Sequence, residues 1–298
     1  MKRLGAVLLA LACASSAGAQ QSVPAAMQAY ERGDAVAARN MLLPLAGRGD
    51  VEAQFLLGEV LEFGIRESDQ AAGWYRRAAE AGHAAAQNNL GALYYDGRGV
   101  SRDPAKAREW YEKAAANDYA PAQYNLALLY GQAIGVERDD RRMVRLLNQA
   151  AQSGYARAQA QLGRLHLEGL GVPKDARLAV RWFRPAAEQG HAWAQYYLGL
   201  LTQQGEGTGR DLEQACAWLG KAAAQGNQLA AFELGIAYEI GLGVASSDER
   251  AIQYYRIAAT AGHVGAMARL FGIYSNGELG VQKDPATARS FAEKLRLR

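Results

Sequence analysis

Along most of the chain, apolar and small residues recur with a helical period and then break at glycine. Ala107, Trp110, Tyr111, Ala114 and Ala115 stand at i, i+3, i+4, i+7 and i+8, the stripe of an amphipathic helix. The stripe returns every 36 residues, with paired alanines at 78/79, 114/115, 150/151, 186/187, 222/223 and 258/259. Four positions before each pair stand Trp74, Trp110, Leu146, Trp182, Trp218 and Tyr254. A second pattern precedes each stripe: Leu57-Gly58, Leu90-Gly91, Leu126-Ala127, Leu162-Gly163, Leu198-Gly199, Leu234-Gly235 and Leu270-Phe271. In one such stretch Ala86, Leu90 and Tyr94 lie above one another at i, i+4 and i+8. Gly91 between them removes a side chain, so a second helix can approach closely. Fixed-period self-similarity of this kind predicts a tandem array of helix pairs.

The punctuation agrees. First helices end at Gly97-Arg98-Gly99-Val100, Gly169-Leu170-Gly171-Val172, Gly241-Leu242-Gly243-Val244 and the longer Gly277-Glu278-Leu279-Gly280-Val281, where glycine suits a left-handed C-cap. Asp103, Asp139 or Asp140, Asp175, Asp211, Asp248 and Asp284 follow, placed to cap the second helices. Second helices end at Gly82, Gly154, Gly190, Gly226 and Gly262, with Asn117-Asp118 in the remaining unit. Residues 24–32 and 35–46 read as one further pair around Gly33-Asp34, without the Leu-Gly and Trp-Tyr signatures. Residues 20–50 are therefore expected to cap the array, since a terminal repeat lacks one neighbour. Seven units fill 51–298.

Four units depart from the pattern. The first is three residues shorter between Gly58 and Trp74, which predicts a trimmed loop over 64–68. The third carries Met143, Leu146 and Leu147 for the Ala-Trp-Tyr stripe, and the seventh has Phe271 for glycine and stops at Arg298. In the fourth, Pro185 lies inside the stripe Trp182, Phe183, Ala186, Ala187 and predicts a kink near 181–185, because proline removes a backbone donor and clashes one turn back.

The combination Ala-Gln-x-x-Leu-Gly-x-x-Tyr, Gly-x-Gly-Val, an acidic residue, then Ala-x-x-Trp-Tyr-x-x-Ala-Ala-x-x-Gly resembles the Sel-type (Sel-one-like) repeat of the tetratricopeptide superfamily. The resemblance covers about 51–298. It implies an all-α, right-handed superhelical solenoid of antiparallel helix pairs that acts as a scaffold or adaptor for protein complexes, often in bacterial envelopes. A cysteine-rich branch of that family is linked to β-lactam binding or hydrolysis, and this chain lacks the branch's cysteines. An envelope hydrolase acting on β-lactams or peptidoglycan is the alternative function.

Composition sharpens this reading. Half of the 298 residues are apolar and 33 are glycine, as a folded helical array requires. Met1-Lys2-Arg3, an apolar run over 4–13 and Ala17-Gly18-Ala19 make up a secretory leader over 1–19, with cleavage before Gln20 into the periplasm or beyond. The run is shorter than the roughly 20 residues a membrane span needs. A lipid anchor at Cys13 is the lesser alternative, because Ala10 stands where a lipobox carries leucine. Without Lys2 and Arg3 the chain has 31 basic against 30 acidic residues, which offers nucleic acid no attraction.

No catalytic motif stands out. His-Glu-x-x-His, Gly-x-Ser-x-Gly, Ser-x-x-Lys and Cys-x-x-Cys are absent from the sequence. His83, His191 and His263 share one register position, so each lies in a different unit, roughly 10 Å or more from the next, too far for one metal ion. They and His166 read as structural, Cys216 as packing, and neither cofactor nor metal is expected. First helices line the inner face of tetratricopeptide-like arrays, and matching by the Leu-Gly pair puts Phe55, Phe63, Tyr95, Tyr124, Trp193, Tyr196 and Phe232 on inward positions. Phe55, Tyr95, Tyr124, Trp193, Tyr196 and Phe232 are the candidate partner-binding residues, since aromatic anchors dominate interfaces. The alternative is that they pack within repeats.

Fused to a reporter active only outside the cytoplasm, residues 1–25 are expected to give activity, and the mature protein to begin at Gln20. A retained leader would overturn export, whereas lipid labelling of Cys13 would assign the anchored form.

Overall fold

The computed structural model describes residues 22–296. The expected leader, with Cys13 and the cleavage point, lies outside the described residues. Among these there are sixteen α-helices and no strand. Helices α1 (Val23–Glu31) and α2 (Ala35–Gly47) form the first pair. The seven further pairs are α3 (Val51–Glu59) with α4 (Ser68–Glu80), α5 (Ala84–Asp96) with α6 (Pro104–Ala116), α7 (Ala120–Gln132) with α8 (Asp140–Gln152), α9 (Ala156–Glu168) with α10 (Ala176–Glu188), α11 (Ala192–Gln204) with α12 (Leu212–Ala224), α13 (Gln228–Ile240) with α14 (Asp248–Thr260), and α15 (Val264–Asn276) with α16 (Pro285–Arg296). The chain divides into two compact units, Met1–Leu146 and Leu147–Arg298. Within each, helices pack on their neighbours in sequence, the arrangement of a helix-pair solenoid.

The Leu-Gly position is where a pair closes. In the first unit a Cβ built on Gly58 would lie 2.5 Å from the Tyr75 ring, and one on Gly91 would lie 2.7 Å from that of Tyr111. In the second unit the same holds for Gly163 against Phe183 (2.6 Å), Gly199 against Leu219 (2.9 Å) and Gly235 against Tyr255. The residue that fills this notch is the one after the tryptophan: Tyr75, Tyr111, Phe183, Leu219 and Tyr255 are all buried. Trp74, Trp110, Trp182 and Trp218 are only half-buried. Trp110, although part of the stripe, is therefore not the residue that closes the pair. Its ring lies partly in solvent beneath Lys113 Nζ, 4.0 Å from the ring centre, while Tyr111 fills the notch.

In four of the pairs a buried glutamine makes the link to the pair before. Gln54 donates to the Ala46 carbonyl (3.1 Å), Gln87 to Ala79 (3.0 Å), Gln159 to Ala151 (3.1 Å) and Gln195 to Ala187 (3.0 Å). In the second unit the other end of the amide is satisfied too. Gln189 donates to Gln159 Oε1 at 2.9 Å and Gln225 to Gln195 Oε1 at 2.8 Å. In the first unit Gln87 Oε1 is buried with no protein donor, and Asn117, at the register of Gln189, is a methylene shorter and turns back to the Lys113 carbonyl.

Turn glycines have two separate tasks. Gly97 takes the left-handed conformation (φ +74°) that ends α5, its N–H bonded to the Leu93 carbonyl. Gly99 lies against the first turn of α4, where a Cβ would run into the Ser68 carbonyl. The aspartate caps form as expected at Asp103, Asp139, Asp175, Asp211 and Asp284. Asp248 is the exception: it is the first residue of α14, and Ser247 Oγ accepts from the Arg250 N–H instead. The short first repeat omits the loop expected over 64–68. Its first helix runs on as a π-helical turn, Val60–Ile65, and Arg66 at φ +69° ends it. The wider turn takes up chain that other repeats place in the loop. Around Pro185, α10 is helical over all 13 residues, as α2 is around Pro44, so neither proline ends its helix.

Gly163→Ala must push the Phe183 ring aside and is expected to cost about 1–3 kcal/mol. Gly220→Ala, inside α12 with no atom within 4 Å of the new methyl, should instead gain up to about 1 kcal/mol. Urea unfolding of both variants checks the pair. Equal effects would show that the notch does not set the helix spacing.

Candidate partner-binding surface

From α5 to α15 each first helix of a pair buries its third, seventh and tenth residues, while its second, ninth and twelfth stay exposed or half-buried. In α5 that buries Ala86, Leu90 and Leu93 and leaves Ala85, Ala92 and Tyr95 partly exposed. On this face of the first unit lie Phe55, Tyr95 and Tyr124, all half-buried, and Phe63, which is 59% exposed. Asn125 donates to Asn88 Oδ1 at 2.9 Å. Glu62 accepts from the Tyr75 hydroxyl (2.9 Å) and pairs with the Arg98 guanidinium. The Glu59 carboxyl is held above its usual range by burial and then by the charges of Glu62 and Glu52.

On the second unit, Trp193 is 51% exposed and Tyr196 only 9%. Their rings meet edge to face with centroids 6.0 Å apart, and Tyr197 lies 5.2 Å from Tyr196 and 5.2 Å from Phe183. Tyr196 belongs to the core formed with Leu219, Ala230 and Leu234, which corrects the expectation that its side chain faces an open groove. Phe232 is half-buried, 5.7 Å from Tyr255 and stacked 4.3 Å from His263. Phe55 is stacked in the same way on His83, 4.4 Å away. Of the six candidates, Trp193 is therefore the most exposed, Phe55 and Phe232 also brace their own repeats, and three lie in each unit. Glu239, at the same register five repeats on, repeats the role of Glu62: it accepts from Tyr255 Oη (2.6 Å) and grips Arg269 through both carboxylate oxygens (2.5 and 3.1 Å).

The histidines have a task that their spacing alone did not disclose. His83, His191 and His263 are N-caps, each Nδ1 accepting from the backbone N–H three residues on, at 3.1, 3.3 and 3.0 Å. Asn227 does the same through Oδ1 for α13. Acceptance at Nδ1 requires the neutral ring with its proton on Nε2, and in His83 that nitrogen faces Glu52 at 3.1 Å. Cys216, half-buried, donates to the Leu242 carbonyl, and burial pushes its thiol pKa up, away from nucleophilic reactivity. Among the described residues no group of three or more metal-ligating side chains converges, and no helix is long and apolar enough to cross a membrane.

With the pairs, notches and turns in place, a family model for the Sel1 repeat matches residues 51–83, 84–119, 120–155, 156–191, 194–227, 228–263 and 264–295. The chain belongs to the Sel1 repeat family. A Sel1 repeat protein from Oxalobacter formigenes is similar over 81% of this chain and 96% of its own, at 32% identity and TM-score 0.72. The protective antigen c5321 of uropathogenic Escherichia coli, which displays an SLR fold, is similar over 95% of this chain at 28% identity and TM-score 0.78; the match spans 63% of that protein. Comparison with curated proteins gives no match. Sel1 repeat folds are commonly protein-interaction scaffolds and typically non-enzymatic.

Capping by histidine makes the Sel1 repeats sensitive to pH. Burial, then the Arg157 charge, holds His191 below its usual pKa, and burial does the same to His263. The unfolded chain thus binds these protons more readily than the folded one. Their contribution to stability is complete above the unfolded value, roughly 6.5, and is lost as pH falls through that value towards the folded ones. His191→Asn with His263→Asn, copying the cap of Asn227, should leave the melting temperature at pH 7.5 nearly unchanged and lessen its fall between pH 7 and 5. An undiminished fall would place the acid sensitivity elsewhere.

Proposed function

We propose that the protein is an exported Sel1 repeat scaffold that holds a protein or peptide partner on its first-helix face and performs no chemistry itself. The observation that carries this reading is Trp193. A large aromatic ring, half in solvent, stands on a first helix at a position that closes no notch, caps no helix and fills no core. Such rings supply much interface energy at low entropic cost. The rest of the face suits a polypeptide. On the second unit it alternates apolar groups such as Leu200 and Ile236 with amides and carboxylates. The basic, apolar, small-residue order of the leader supports export, and an exported scaffold would meet its partner in the envelope or outside the cell.

A photo-crosslinking amino acid in place of Trp193, introduced in the native host, is expected to capture a discrete partner, while the same group in place of Glu109, exposed on α6, should not. Trp193→Ala should change stability by no more than about 0.5 kcal/mol, whereas Tyr196→Ala, a core truncation, should cost about 3 kcal/mol. Crosslinks from Glu109 alone, or a large loss of stability in Trp193→Ala, would move the binding surface off the first helices.

A further inference from the structure

The turn between α15 and α16 differs from those before it. In the second, fifth and sixth repeats a turn glycine lies hard against the first turn of the preceding second helix. A Cβ on Gly99, Gly207 or Gly243 would come within 2.1, 2.3 and 2.3 Å of the carbonyl oxygens of Ser68, Ala176 and Leu212. The seventh repeat has one residue more in this turn, and the approach is lost: a Cβ on Gly280 would meet nothing nearer than Asp248 Oδ2 at 3.8 Å. Leu279 beside it stands at φ +52°, a left-handed conformation that only glycine takes freely. The turn therefore stands off α14 instead of closing on it.

Between this turn and the exposed side of α14 lies an open hollow of about 1070 Å³. Its apolar part is Ile252 and Leu279, which belong to or pack on the core of this unit, and Ile257, which is exposed. The hollow follows α14 from Asp248 to Thr260, about 18 Å at the helical rise and so the length of roughly five or six extended residues. At one end stand Asp248 and Glu249. Among the second helices α14 alone has two acids in its first turn. Neither forms an ion pair or a side-chain hydrogen bond with any described residue. Arg256, about 10 Å further along the helix, donates one N–H to the Tyr274 phenol and keeps others to donate into the hollow.

We propose that this hollow is a second binding surface, separate from the first-helix face, that takes an extended polypeptide segment carrying lysine or arginine a few residues from apolar side chains. The cation pairs with Asp248 and Glu249, whose charges no group of the chain neutralises. Apolar side chains two residues apart point the same way in an extended segment, so both reach Ile252, Leu279 and Ile257. Arg256 donates to a backbone carbonyl between them. A small molecule would fill only part of the length, and an acidic segment would meet two like charges at one end, so the surface selects by length and by charge.

The probes are capped hexapeptides, Lys-Lys-Ser-Leu-Ser-Leu and its reverse Leu-Ser-Leu-Ser-Lys-Lys, which cover both chain directions, and the same pair with glutamate in place of lysine. Binding to the full chain is followed by the methyl resonances of Ile257, assigned by their loss in Ile257→Val. At least one lysine peptide is expected to shift them saturably, and its glutamate counterpart to bind about fivefold or more weakly. Replacing both leucines of that peptide by serine should abolish the shift. Asp248→Asn with Glu249→Gln should bring the lysine and glutamate peptides within about twofold of each other while the helical signal in the far ultraviolet is kept. No shift with either lysine peptide, equal affinity for lysine and glutamate peptides, or a preference unaltered in the double variant would each overturn the proposal. Crosslinks from position 193 report on the other face, so neither reading decides the other.

Discussion

A second-helix ring resting on the bare backbone of a first-helix glycine sets the geometry from which the other interactions follow. Tyr75 on Gly58, Tyr111 on Gly91, Phe183 on Gly163 and Tyr255 on Gly235 bring the two helices closer than any side chain at that position would allow. Close approach lets the hydroxyls of Tyr75 and Tyr255 reach Glu62 and Glu239 on the first helix. It also displaces the neighbouring tryptophan outward, where Arg77, Lys113 and Lys221 cover three of the rings. Where the glycine is missing the ring has changed as well: the third repeat carries Ala127 and Leu147, a larger floor and a smaller knob. In the seventh repeat Phe271 occupies the glycine position and is 41% exposed.

Polar groups then hold one pair to the next. A buried amide must find partners or lose a hydrogen bond's worth of free energy, and the glutamines at 54, 87, 159 and 195 find theirs on the preceding second helix. This makes the pairs interdependent without any disulfide, as a nearest-neighbour array needs.

Membership of the Sel1 repeat family explains the architecture and the general expectation of a scaffold, and leaves the partner to residues that the repeat does not specify. Trp193 and Phe63 have no part in the notch, the caps or the glutamine links. The first-helix face can therefore vary while the framework stays intact, which suits a repeat protein to new partners.

Periodicity in the sequence was enough to establish the helices, their pairing, the turns and seven repeats, because each depends on local spacing and on what a glycine or an aspartate does within a few residues. The Leu-Gly position was legible as a close approach for the same reason. Which residue fills it was not: tryptophan and the residue after it are both apolar and adjacent, and only packing shows Tyr111 buried and Trp110 half in solvent. Phe55, Tyr95, Tyr124, Trp193, Tyr196 and Phe232 were all placed on first helices correctly, yet register could not separate exposed Trp193 from buried Tyr196, since exposure depends on the neighbouring helix. His83, His191 and His263 were visible as one register and became caps only when Nδ1 was seen against a backbone N–H. The pairing of Glu239 lay furthest from view, because it depends on where Arg269 places its hydrogen bonds, thirty residues away in sequence and one helix pair away in space.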